Sequence, residues 1–455
     1  MRDGAKMHTQ SPQTKELRNQ IVAYAIERMD LDPAPLDAPQ TKDWFLENVP
    51  QTITEQGVGG QKALEIFGEL LAPATISTDH PNFLSFIPNA PSEAATFFDL
   101  VVSASSIYGG SWMEGSGAVY AENQVLEFLA KEVGLPDGAG GLFVQGGTIG
   151  NLSALVTARE VFRAKHKDSN QRLAIIASSE AHSSLKAVAK VMDVDLIKAN
   201  VDDFGKLSGD AVRAAVKEAG DRVFAFVATA GTTNFGIVDR IAEIARVAKE
   251  HDLWLHIDGA YGLAGILDPK TKDLFDGIEH CDSFIVDPHK WLYAPFDACA
   301  LVYRNPAQAR DAHMQKGEYL EALNDSPDHN PADYGFGLTR RVRGLPLWFS
   351  MATHGIQAYR DAIALNNELA QRIAKEISSR GYLSLVRDPE LSVVVFERNG
   401  WSQEQYDQWS EKLLLSGEAF VLPSSHNGRP HLRFAIINPK TSFEDLVHIL
   451  DSLEN

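Results

Sequence analysis

Several short stretches of the chain carry side chains whose types and order could do chemistry together. The first is Gln145-Gly146-Gly147-Thr148-Ile149-Gly150-Asn151, which follows the apolar run Leu142 to Val144 and leads into a helix-patterned segment. Glycines at such a turn let backbone N–H groups approach a phosphate, and the helix start adds partial positive charge. Taken alone, such a stretch is more often a plain strand-to-helix turn capped by Thr148 or Asn151. After the apolar run Leu173 to Ala177 comes Glu180-Ala181-His182-Ser183-Ser184. A single histidine there is usually a hydrogen-bonded structural residue, but its flat imidazole can also stack on an aromatic ring and move protons. Thr229-Ala230-Gly231-Thr232-Thr233 follows the next run and offers either hydroxyl donors or a polar turn.

Two further runs end on charged residues. Trp254 to Ile257 delivers Asp258-Gly259-Ala260-Tyr261. A carboxylate at a buried strand end must be paired, and either a protonated ring nitrogen or a helix N-terminus would satisfy it. Phe284 to Val286 ends in Asp287-Pro288-His289-Lys290-Trp291. An ammonium at the mouth of an apolar strand has its pKa lowered by desolvation, which suits an amine that condenses with an aldehyde. A solvent-exposed lysine is the commoner fate of any one Lys. The set outweighs its members: phosphate turn, ring-stacking imidazole, carboxylate for a ring nitrogen and amine for an aldehyde occur in order, each after an apolar run.

The elements that must position these residues follow from the same pattern. From about residue 120 helical stretches alternate with short β-rich runs, including Ser283 to Val286 and Ala298 to Tyr303. Such alternation predicts an α/β fold with right-handed crossovers, a mostly parallel sheet and helices on both faces. Ligands then gather beyond the carboxyl ends of the strands. Residues 1–79 read as a helical arm, with helices near 14–29 and 60–71 and a Pro/Asp-rich linker at 30–42. Residues 80–349 form the large domain and 350–455 a small α+β domain, with β-rich runs at 391–396 and 431–437, a turn at Asn427-Gly428 and a last helix capped by Thr441 and Glu444. The turn-rich stretch from Glu321 to Gly337 reads as a long loop, the usual form of a lid.

Composition narrows the partners. A formal charge of −19 opposes binding to a nucleic-acid backbone or an anionic membrane. The two cysteines, Cys281 and Cys299, are too few for a disulfide framework and lack metal-ligand spacing, which fits a reducing compartment. With no apolar leader pattern and no run of 18 apolar residues, the sequence predicts a cytoplasmic enzyme.

At the residues quoted above, from about His80 to Trp348, the sequence resembles the group II pyridoxal-phosphate decarboxylases, which include aromatic-amino-acid and glutamate decarboxylases. The resemblance implies a fold-type I, aspartate-aminotransferase-like architecture, pyridoxal 5′-phosphate as cofactor and a homodimer with swapped N-terminal arms. It implies that Lys290 forms the Schiff base, Asp258 pairs the ring nitrogen, His182 stacks on the ring, Thr233 lies near its hydroxyl and Ala260 packs beneath it. Gly147, Thr148 and His289 would hold the phosphate. Asp287 belongs to the same site but stands where the animal aromatic enzymes commonly have asparagine, and an ionised carboxylate cannot donate to a phosphate. The proton donor would be a loop tyrosine, with Tyr334 as first choice and Tyr319 as second. Phe83 to Trp112 corresponds to the substrate pocket, with Phe86, Asn89, Tyr108 and Trp112 as candidate contacts; this segment contains no Lys or Arg, which favours an aromatic substrate. Other readings on the same fold are an acidic-substrate decarboxylase, an aldehyde synthase, a carbon–carbon lyase, or an aminotransferase in which Arg433 grips the substrate carboxylate.

Overall fold

The computed structural model describes residues 7–167, 171–318, 328–426 and 428–454. A seven-stranded sheet lies at its centre, built from β1 Gly140–Val144, β2 Ala174–Ser178, β3 Asp195–Ala199, β4 Val223–Thr229, β5 Trp254–Asp258, β6 Ser283–Val286 and β7 Cys299–Tyr303, in the order β1-β7-β6-β5-β4-β2-β3. Only β7 runs against its neighbours; the remaining pairings are parallel. Consecutive residues of one strand enter opposite cores. Ile176, Phe226 and Phe284 pack on one face, and Ile175, Val227 and Ile285 on the other. Burial on both faces explains why these strands read as unbroken apolar runs rather than alternating ones.

β3 is an edge strand paired only with β2, and its sequence Asp-Leu-Ile-Lys-Ala is mostly half-buried, so its pattern gives no strand signal. The helix Gly147–Lys165 packs against the sheet so closely that a Cβ at Gly150 would lie 2.7 Å from Ile285 Cγ2 and 2.9 Å from Cys299 Sγ. That contact fixes where the helix begins.

The second sheet is antiparallel: β8 Leu383–Leu385, β9 Val393–Arg398, β10 Ser424–His426 and β11 Arg429–Ala435, in the order β10-β11-β9-β8. Asn427 of the expected turn lies outside the described residues. The long helix Leu345–Ser379, non-helical at Gly355, crosses the expected division between residues 349 and 350. The last helix, Phe443–Asp451, buries Leu446, Ile449 and Leu450, with Leu453 buried just beyond it. Its cap is Ser442, not Thr441: Ser442 Oγ accepts from Asp445 N at 3.0 Å. Thr441 is drawn away, its Oγ1 donating to Pro81 O at 2.6 Å. At the other end of the chain, the helix Pro12–Asp30 buries no side chain at all. Among the described residues, no helix is long and apolar enough to cross a membrane.

Candidate active site

The carboxyl ends of β1, β2, β4, β5 and β6 open onto one cavity of about 570 Å³. Gly147, Thr148, His182, Thr233, Asp258, Ala260, Asp287, His289 and Lys290 all line it, as does Phe86. The chain order of these motifs is thus converted by parallel topology into convergence at one place.

One wall is the start of the helix Gly147–Lys165. Its N-cap, Gly146, provides no side-chain hydrogen bond. Ile149 N and Gly150 N donate to Gly146 O at 3.0 and 3.1 Å, whereas the N–H groups of Gly147 and Thr148 precede any helical acceptor, so the end is open to an anion. A Cβ at Gly147 would lie 3.2 Å from Asp287 Oδ2 and 3.3 Å from the Ala260 methyl, so the glycine keeps the floor of the cavity clear.

At the end of β5, Asp258 is buried. Its Oδ1 accepts from Ala260 N at 3.2 Å and its Oδ2 from Asn151 Nδ2 at 2.9 Å. Two donors leave the carboxylate with acceptor capacity to spare. His182 accepts at Nδ1 from Ser184 N at 3.2 Å, which puts the proton of its neutral ring on Nε2.

Beyond β6, Lys290 Nζ lies 2.9 Å from Asp287 Oδ2. The sequence led us to expect a lysine with a lowered pKa, and the geometry corrects this. Burial does push the ammonium towards neutrality, but the Asp287 carboxylate, by charge and hydrogen bond, together with Asp258, outweighs it and the pKa is raised. Asp287 Oδ1 is buried without a hydrogen-bond partner among the described residues. His289 is fixed by its own loop, Nδ1 lying 2.6 Å from Ala298 O, and burial lowers its pKa. The uncapped helix start, the Lys290 amine and the Asp258 carboxylate on one cavity fit a phosphorylated pyridine aldehyde.

Other expected contacts are elsewhere. Asn89 is buried, its amide donating to His289 O at 2.5 Å and Ala294 O at 2.9 Å, so it braces the lysine loop instead of lining the cavity. Tyr108 donates to Leu338 O at 2.9 Å, and the Trp112 backbone donates to Asn330 Oδ1 at 2.9 Å. Neither lines the cavity of this chain. Tyr334 also lies apart from it. It is 8% exposed, packed in the core on the side of β1 and β7, stacked on His329 at 4.3 Å, and its carbonyl accepts from Tyr303. So held, Tyr334 does not line the cavity of this chain. Tyr319 lies outside the described residues. Arg433 sits on β11 with Nε and Nη2 unpartnered among the described residues, its pKa lowered to about 10 by burial, and is also absent from the cavity wall.

Sequence reasoning missed Ile87 and Phe296 on the wall, and the buried His256 and Ser283 behind Asp258. The signal for the last two was present: a histidine and a serine interrupt strands that are otherwise apolar.

Comparison with known proteins agrees with this geometry. The family model described as pyridoxal-dependent decarboxylase conserved domain matches residues 46–399. An aromatic-L-amino-acid decarboxylase of Bacillus atrophaeus is 28% identical over 452 residues, covering 96% of this chain and 94% of that protein. A 4-hydroxyphenylacetaldehyde synthase of Rhodiola rosea is 27% identical, covering 84% and 82%, and a histidine decarboxylase of Rattus norvegicus is 23% identical, covering 98% and 71%. In fold, the chain is similar to Oryza sativa TDC solved with PLP and tryptamine, at a TM-score of 0.90 and 22% identity, covering 98% of this chain and 99% of that one. With the family model spanning most of the sequence and the cofactor-type groups gathered on one cavity, the chain belongs to the pyridoxal-dependent decarboxylase family, and pyridoxal phosphate is its cofactor.

Proposed function

We propose that this decarboxylase acts on aromatic L-amino acids, releasing carbon dioxide and the corresponding amine. One observation carries the choice of substrate: among the described residues, the cavity wall holds no arginine and no lysine besides Lys290. A side-chain carboxylate buried there would lack the cation it normally requires. Phe86, Ile87 and Phe296 offer apolar surface instead.

When bound, pyridoxal phosphate supplies the conjugated ring that takes up the electron pair left by the departing carboxylate. The protein's part in this reading is to hold and orient. Lys290 would hold the aldehyde carbon. Asp258 keeps a proton on the ring nitrogen, which makes the ring a better electron acceptor. The helix start at Gly147 and Thr148, with His289, would hold the phosphate, His182 would pack on the ring and Thr233 would offer it a hydroxyl. Tyr319 becomes the proposed donor of the proton that replaces carbon dioxide.

A homodimer is part of the proposal. It is supported by apolar side chains left at the surface of the arm, where Ile21 is 50% and Phe67 47% exposed, and at the cavity rim, where Phe86 is 60% and Phe296 55% exposed. Two buried thiols and the acidic surface favour a cytoplasmic setting. The test is a panel of the proteinogenic amino acids assayed for carbon dioxide, with amine and aldehyde products read by mass. Tryptophan, tyrosine or phenylalanine should give the highest kcat/KM, with amine as the main product. A higher value for glutamate or aspartate would overturn the substrate class, and aldehyde as the main product would overturn the reaction.

A further inference from the structure

Behind Asp258 runs a chain of buried hydrogen bonds that reaches from a tryptophan of β5 to the carboxylate. Trp254 Nε1 lies 2.9 Å from Ser283 Oγ, Ser283 Oγ 2.8 Å from His256 Nδ1, His256 Nε2 2.8 Å from Asn151 Oδ1, and Asn151 Nδ2 2.9 Å from Asp258 Oδ2. Each of the five residues is at most 6% exposed.

The direction of every bond is forced from both ends. An ionised carboxylate only accepts, so Asn151 must turn its NH₂ to Asp258 and its carbonyl to His256. His256 Nε2 must then carry the proton, and Nδ1 must accept from the Ser283 hydroxyl. The serine oxygen in turn accepts from the indole, which only donates. A neutral imidazole of one tautomer satisfies the whole chain. Burial, only partly opposed by the Asp258 charge and the contact with Ser283, lowers the His256 pKa to about 4, which keeps it in that form.

We infer that His256 and Asn151 are positioning residues for the reaction: through a one-way hydrogen-bond relay they hold the Asp258 carboxylate in the orientation that receives the cofactor ring nitrogen. The inference rests on the proposed role of Asp258. A carboxylate held by Ala260 N–H on one oxygen and Asn151 on the other has its plane fixed. Without Asn151 it keeps a single donor and can rotate. Without the His256 proton, the Asn151 amide loses the partner that keeps its NH₂ turned to the carboxylate. Satisfying buried polar groups would stabilise the fold in any protein; the relay claim adds that the state of the ring nitrogen depends on Asn151 at the cavity wall and, through it, on His256, which does not line the cavity.

The experiment loads wild type, His256→Leu, His256→Gln, Asn151→Leu and Asp258→Asn with cofactor carrying ¹⁵N in the ring, and records the nitrogen chemical shift, cofactor affinity and thermal midpoint beside kcat and KM. Glutamine can donate where Nε2 did and accept where Nδ1 did; leucine can do neither. The expected result is a ring-nitrogen signal in His256→Leu and Asn151→Leu moved towards that of Asp258→Asn, with kcat lowered about tenfold or more and KM within about twofold, whereas His256→Gln keeps the wild-type signal. Should His256→Leu not fold, Asn151→Leu and His256→Gln decide. A wild-type signal and kcat in the leucine variants, with Asp258→Asn shifted, would overturn the relay alone. A glutamine variant as impaired as the leucine one would do the same. A wild-type signal in Asp258→Asn would remove the ring-nitrogen role of Asp258 and the relay with it.

Discussion

Lys290 Nζ and Asp287 Oδ2 form an ion pair of 2.9 Å at the end of β6, and this pair governs when the lysine can react with an aldehyde. The amine attacks an aldehyde only when unprotonated. Burial favours that form, but the Asp287 carboxylate, by charge and hydrogen bond and helped by Asp258, holds the proton on, so the pKa lies above the ordinary lysine value.

Capture of pyridoxal phosphate by cofactor-free protein should therefore speed up as pH rises, and Asp287→Asn should shift that profile to lower pH and speed capture near neutrality. Growth of visible absorbance after mixing, followed between about pH 6 and 10, measures it. The same sign governs stability. A raised folded-state pKa means the pair contributes below the ordinary lysine pKa and is lost as pH climbs through the raised value. A variant whose profile coincides with wild type would show that Asp287 does not control the lysine.

Asp258→Asn should leave the thermal midpoint and KM close to wild type while lowering kcat by about a hundredfold or more, because lost stabilisation of transition-state charge costs about 3 kcal/mol or more. Steady-state kinetics with the best substrate of the panel decides this. Near-wild-type kcat would remove Asp258 from the chemistry.

Tyr334 and Tyr319 separate cleanly. Since Tyr334 is packed in the core beside His329, Tyr334→Phe should leave the ratio of amine to carbon dioxide unchanged. Tyr319→Phe should lower that ratio, because a carbanion left without its acid persists long enough to meet dioxygen, giving aldehyde, ammonia and peroxide. Amine, aldehyde and peroxide counted per carbon dioxide in both variants is the readout. Full amine yield from Tyr319→Phe would dismiss it as the proton donor.

What the sequence made legible was the sheet centre and the residues at its strand ends. Strands buried on both faces show up as apolar runs, and Asp258 and Asp287 stand out because each ends such a run. Failures came where long-range contacts decide. Tyr334 lies in Ala-Asp-Tyr-Gly-Phe-Gly, a composition that reads as exposed loop, and only its packing beside Tyr303 makes it core. Asn89 is a polar residue in a pocket-like segment, yet its partners, the carbonyls of His289 and Ala294, lie 200 and 205 residues away. The pKa of Lys290 was misjudged for a related reason: desolvation could be read from its apolar neighbours, but the 2.9 Å contact with Asp287 could not.

The most direct measurement is borohydride reduction of the purified holoenzyme followed by peptide mapping. The pyridoxyl group should be found on Lys290, in the peptide containing Asp287-Pro288-His289-Lys290-Trp291. The visible absorbance should be bleached on reduction, and Lys290→Ala should show neither the absorbance nor turnover. A pyridoxyl group on any other lysine, or a yellow and active Lys290→Ala protein, would contradict the assignment of this cavity as the active site.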